Sequence, residues 1–174
     1  MKKMLFTALA MSLFFAVPAH AHFGMVLPDK NVAMEKKDAS ISVQFAFTHP
    51  FEGKAMDLDV EKAQVFSDGR AMDITSTLKP ETYKGKKAFR TSYKLAKPGV
   101  YTIAMTPKPY WEPAEDKFII HYTKTVVAAF GEEEGWDQPV GLPVEIVPLS
   151  RPFGLYAGNA FRGRVLVDGK PGAN

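Results

Sequence analysis

The chain has no cysteine. That absence excludes disulfides, thiolate zinc sites, iron–sulfur clusters, thiol catalysis and lipid attachment through an N-terminal cysteine. The fold must therefore hold together by packing. Histidine is scarce, with four in 174 residues. No G-x-S-x-G elbow, glycine-rich phosphate loop or H-E-x-x-H pair occurs, and no Ser–His–Asp arrangement picks out a triad, so an enzyme is not expected. Charge of one sign is missing too. Lys and Arg total 22 against 19 Asp and Glu, interleaved along the chain. The nearest approach to a basic patch, Lys84, Lys86 and Lys87 around Gly85, reads as a solvated hairpin, so nucleic acid is not expected as a partner. After residue 22 no stretch approaches the roughly 20 apolar residues that cross a bilayer, and no amphipathic helix stands out.

What is present begins at the N-terminus. Lys2 and Lys3 precede an uncharged, mostly apolar run from Met4 to Val17, and Ala19-His20-Ala21 is a small-residue cleavage site. This is the pattern of a secretory signal peptide. The run is too short for a membrane anchor, so a soluble, exported protein is expected, with the bacterial periplasm as its compartment. Cleavage after Ala21 makes His22 the first residue, whose free amine and imidazole together chelate an ion. Cleavage after Ala19 instead places His22 third from a free amine, which favours square-planar nitrogen coordination of Ni(II) or Cu(II). The plainer reading is that these histidines only flank the cut.

The rest of the chain reads as β. Ile41, Val43, Phe45 and Phe47 alternate with Ser42, Gln44 and Ala46, the signature of a half-buried strand. Residues 64–66 form a short strand ended by the Ser67-Asp68-Gly69 turn. Phe89, Thr91, Tyr93 and Leu95 alternate with polar residues. Lys97-Pro98-Gly99 turns into a strand over 100–105 on which Tyr101, Ile103 and Met105 share a face. Residues 117–127 read as the longest strand, and residues 29–37 hold at most a short helical turn. Strands recur every 10–15 residues with turn residues between them, as in an antiparallel, immunoglobulin-like β-sandwich. The fold class expected is all-β. Residues 1–21 are the signal, 22–130 the sandwich, 131–152 a connector too rich in proline (Pro139, Pro143, Pro148) for central strands, and 153–174 the start of a second, truncated β domain with a strand over 160–167.

Chemistry concentrates in three histidines that remain after cleavage: His22, His49 and His121. His49 follows the 41–47 strand on its apolar parity, and His121 is placed mid-strand on the face of Ile119 and Thr123. Three imidazoles and an amine suit nickel, copper or zinc, although their spacing forms no local motif. Each of them, taken singly, reads more readily as a structural residue. Weaker candidates are Glu112, Glu115 and Asp116 in an aromatic, proline-bounded loop, Glu132 to Glu134 in an acidic turn, and Met25 as a soft ligand.

Three blocks carry a resemblance: Thr48-His49-Pro50-Phe51-Glu52-Gly53, the run from Pro109 through Lys124, and Gly141 through Leu149 with Arg151 through Asn159. Together they resemble exported bacterial proteins classed as a domain of unknown function and described as periplasmic components of nickel or cobalt uptake systems. The resemblance covers nearly all of the chain after the signal. It implies a nickel or cobalt ion held at His22, His49 and His121, membrane importer subunits as partners, and a longer chain with a second β-sandwich. Copper or zinc remain possible ions. Two rivals stand beside this reading. One is a module without metal that presents Tyr110, Trp111 and Trp136 to a carbohydrate or protein. The other is a copper oxygenase with a histidine brace, whose N-terminal histidine His22-Phe23-Gly24 loosely resembles.

Overall fold

Alternation builds the first sheet. Ile41, Val43, Phe45 and Phe47 are buried along one side of strand β3 (Ser40–His49), because successive side chains of a strand point to opposite faces. The structure is a computed structural model that describes residues 22–172, apart from Phe51 and Ala114; the expected signal peptide lies outside the described residues. β3 pairs antiparallel with β1 (Phe23–Pro28) on one edge and β8 (Lys86–Lys94) on the other. β7 (Lys79–Tyr83) continues the sheet beyond β8, and β4 (Lys54–Met56) pairs with the end of β3.

The second sheet runs β2 (Val32–Ala33), β12 (Thr123–Ala129), β9 (Gly99–Pro107), β5 (Val60–Ser67) and β6 (Arg70–Asp73). Its pairs are antiparallel except β2–β12. The turn expected at residues 67–69 joins β5 to β6 with Asp68 and Gly69 both left-handed, at φ 50° and 69°, as a two-residue hairpin loop requires.

The two sheets close on one core. Val26, Ile41, Val43, Phe45 and Phe47 meet Ala63, Val65, Tyr101, Ile103, Met105 and Val127. Each large side chain so buried contributes about 1.5–3 kcal/mol. The sandwich expected from the alternation is the fold observed, and Tyr101, Ile103 and Met105 share the inward face as read. The outer face of the second sheet is covered as well. Phe153, 2% exposed, packs on Val100, Val126 and Ala128 with Trp136 beside it.

Three segments depart from the sequence reading. Residues 117–127 are not one strand: β11 (Lys117–Ile119) pairs with β10 (Tyr110–Glu112) in a separate hairpin, and β12 begins only at Thr123. The proline-rich connector contains strand β13 (Val144–Pro148), and the strand expected over 160–167 begins at Gly163 as β14 (Gly163–Val167). With β15 (Lys170–Pro171) these form a three-stranded antiparallel sheet. Pro148 is tolerated because it ends β13, the edge of that sheet. Only short 3-10 turns, Lys36–Asp38 and Thr75–Thr77, interrupt the strands among the described residues, and no helix among them is long and apolar enough to cross a membrane.

A buried ion pair ties the small sheet to the sandwich. Lys124 on β12 donates to the Glu145 carboxylate on β13 at 2.5 Å, with the Glu145 side chain 1% exposed. The amides of Val140 and Gly141 donate to the same carboxylate at 3.0 Å.

Candidate metal centre

Strand register brings the first two histidines together. Phe23 is paired with Thr48 in the β1–β3 ladder, so His22, one residue before Phe23, faces His49, one residue beyond Thr48. Residues opposite one another on antiparallel strands share a face. The imidazoles stand edge to face, with centroids 5.6 Å apart. Two imidazoles within about 8 Å can share an ion bound at roughly 2.1 Å, and this pair lies inside that limit.

His121 arrives from the second sheet. It sits in the break between β11 and β12 rather than mid-strand, because the chain leaves the β10–β11 hairpin there and joins β9 only at Thr123. The Phe47 ring is the common neighbour. It lies 5.8 Å from the His22 ring, 5.2 Å from His121 and 5.4 Å from Tyr110, centroid to centroid. Tyr110 in turn lies 6.4 Å from His22. His22 and His121 therefore flank one buried aromatic side chain, Phe47, and His49 stands against His22.

The electrostatics differ from residue to residue. Burial pushes the His121 imidazole below its ordinary value of 6.5, and the neighbouring His22 charge pushes it the same way. His121 is thus held in the neutral form, with a nitrogen lone pair to offer. Burial, followed by the Glu112 carboxylate, raises the Tyr110 phenol above 10, so it stays a neutral hydroxyl and supplies no phenolate. His49 is 4% exposed and is held by the turn that follows it. The Glu52 amide donates to His49 Nδ1 at 3.1 Å, which places the proton of the neutral ring on Nε2. The Glu52 carboxylate lies 3.9 Å from that Nε2 and 2.8 Å from Lys54. Ligation through Nε2 requires that proton to leave, so in this arrangement His22 and His121 are the readier nitrogen donors.

Backbone contacts pin the strand ends that carry the histidines. The Thr123 hydroxyl lies 2.9 Å from the Gly24 carbonyl and 3.0 Å from the His121 carbonyl. Met25 alternates away from His22 along β1, which removes it from the cluster. Glu115 pairs with Lys117, and Glu133 with Arg151, so neither acidic loop turns these carboxylates into the site. Among the described residues, no three His, Asp or Glu side chains are already placed to close on one ion. Phe47, Tyr110, Glu52, Gly24 and Thr123 complete the surroundings of the histidines; in the sequence only the parity of Phe47 with His49 and of Thr123 with His121 points to any of them.

The aromatic side chains also sort themselves. Trp111, 43% exposed, pairs across the hairpin with Phe118, 66% exposed. Tyr110 faces the histidines from the other side of that hairpin, and Trp136 packs beside Phe153. The three aromatics therefore form no single platform.

Comparison with protein families matches residues 19–174 to a family described as a domain of unknown function (DUF4198). The chain belongs to this family. The match spans the sandwich, the Phe153 segment and the small sheet alike. No curated protein and no solved structure matches the chain.

Proposed function

We propose that this protein binds nickel or cobalt in the periplasm and delivers the ion to a membrane importer. The observation that carries the reading is the His22–His49 pair, two imidazoles 5.6 Å apart, with His121 joined to them through Phe47. Nitrogen donors of this kind suit Ni(II), Co(II), Cu(II) and Zn(II). Cleavage after Ala21 adds the α-amine of His22 and supplies a chelate that no internal histidine offers. The same amine would serve a copper brace, so copper is the ion against which nickel has to be measured. The exposed Trp111–Phe118 pair supports a second reading, a surface that stacks on a carbohydrate or a partner protein.

The test is calorimetry of the chain beginning at His22 with Ni(II), Co(II), Cu(II) and Zn(II), beside a chain carrying one extra residue before His22. Nickel or cobalt binding at one ion per chain, weakened by the extension, is the expected result. Equal binding by both chains removes the amine from the site. No binding of any of the four ions overturns the metal reading.

A further inference from the structure

The β10–β11 hairpin belongs to neither sheet of the sandwich. Its register puts Trp111 opposite Phe118. The two rings meet edge to face at 5.0 Å, yet remain 43% and 66% exposed. Such a pair is apolar surface left for a partner. Between the two rings the chain carries Glu112, Glu115 and Asp116 against one lysine, Lys117. Lys117 is paired with Glu115, and Asp116 makes no ion pair within 4 Å among the described residues. The aromatic knob is therefore rimmed with negative charge.

The opposite end of the sandwich carries the converse. A hollow of about 440 Å³ there is lined by the apolar Met34, Leu95 and Phe130 and by Lys36, Lys94 and Lys97. Its size is that of a small-molecule pocket, with room for two aromatic side chains. Met34 is 65% exposed, a flexible thioether suited to an aromatic ring. Lys97 is paired with Asp68, whereas Lys36 and Lys94 make no ion pair within 4 Å among the described residues. Strand order fixes the separation of knob and hollow. β8 ends at Lys94 and β9 begins at Gly99 beside the hollow, and β9 ends at Pro107 just before the hairpin. The strand between them spans about 30 Å, so the knob of one molecule cannot reach its own hollow.

We propose that the hairpin of one copy docks in the hollow of a second. Trp111 and Phe118 meet Met34, Leu95 and Phe130, and Asp116 with its acidic neighbours faces Lys36 and Lys94. Opposite charges around an apolar centre give a contact its orientation and exclude other registers. The contact is heterologous, so each copy keeps one knob and one hollow unused, and association continues head to tail. Two rings of about 150–250 Å² each leave it short of the roughly 800 Å² per partner of a standard interface, so it is weak and concentration-dependent. It needs no metal ion and stands apart from the metal reading.

Sedimentation equilibrium of the chain beginning at His22, in EDTA, from about 10 μM to about 1 mM covers the range of such contacts. A weight-average mass that rises with concentration past two chains is expected. Trp111→Ser with Phe118→Ser, and separately Lys36→Glu with Lys94→Glu, should each weaken association about tenfold or more. All four positions are exposed, so both variants keep the sandwich, which circular dichroism checks. Mixed together, the two variants should form a dimer of one each and stop there, because one supplies the intact hollow and the other the intact knob. A mass of one chain at every concentration overturns the proposal and leaves the aromatic pair to a carbohydrate or a different protein. Association that survives either pair of substitutions, or a mixture that stays monomeric, overturns the docking of knob in hollow.

Discussion

Thr123 and Gly24 are joined across the two sheets by one hydroxyl. Its oxygen sits 2.9 Å from the Gly24 carbonyl and 3.0 Å from the carbonyl of His121, so a single proton serves the strand that starts at His22 and the bend that holds His121. Residue 24 leaves little room for a side chain. A Cβ there would meet Thr123 Oγ1 at 2.9 Å, Met105 Cε at 3.0 Å and the His121 carbonyl at 3.3 Å. The methionine tip can move aside, but the Thr123 hydroxyl gives way only by loosening its hydrogen bonds to the Gly24 and His121 carbonyls. Gly24→Ala is expected to cost about 1–3 kcal/mol by overpacking, and Thr123→Val about 0.5–1.5 kcal/mol. Urea denaturation measures both costs. Gly24→Ala should also weaken nickel binding, because it separates His22 from His121; unchanged nickel affinity in that variant would count against a shared site.

The Phe47 ring is a spacer as well as core. Phe47→Ala should destabilise the protein by about 3–5 kcal/mol, the usual cost of emptying a buried aromatic position. Phe47→Leu keeps most of the volume. It is expected to fold, with a modest loss of stability, and still to bind nickel more weakly, because three rings lose the surface that orients them. Calorimetry on the leucine variant separates the two roles.

Glu145 makes the fold acid-sensitive at a defined place. Burial alone would raise its carboxyl, but the Lys124 ammonium and the Val140 and Gly141 amides outweigh burial and hold it below its ordinary 4.5. A carboxylate depressed in the folded state contributes stability that is complete above the unfolded value and is lost as pH falls through the folded one. Denaturation midpoints should therefore drop below pH 4.5, and Glu145→Gln should flatten that drop. Glu145→Ala, which strands Lys124 in a buried position, is expected to cost about 3–5 kcal/mol at pH 7. Replacing both partners, Lys124→Met with Glu145→Leu, should recover much of the loss. A double variant as unstable as Glu145→Ala would assign the cost to packing instead.

Ion binding should also appear as stability. An ion that binds only the folded chain adds about 2.7 kcal/mol at a hundredfold excess over Kd, several degrees in melting temperature for a chain of this size. Nickel is expected to raise the melting temperature of the chain beginning at His22. His22→Ala and His121→Ala should each abolish most of that rise. His49→Ala tests whether the third ring ligates or only packs: a retained rise marks it as a positioning residue, fixed by the Glu52 amide.

The alternation from Ile41 to Phe47 was plain in the sequence because a strand with one buried face has no other way to write itself, and the inward parity of His49 followed from it. The break at His121 was hidden because Phe118, Ile119 and Ile120 look like strand core. In fact Phe118 is spent on Trp111 at the surface, and Ile120 is 39% exposed. Strand β13 was masked by flanking prolines whose cost vanishes at a sheet edge. The meeting of His22 with His49 depends on the β1–β3 register, and that of His121 with them on the packing of two sheets. Neither has a local spacing to betray it.

His22 stands one residue before β1, next to Phe23, which is 41% exposed, and strand ends are where local opening costs least. An ion bound there, as proposed, could then be let go without moving one domain against another. Fraying of residues 22 and 23 is enough to swing one imidazole away while the sandwich behind it stays shut.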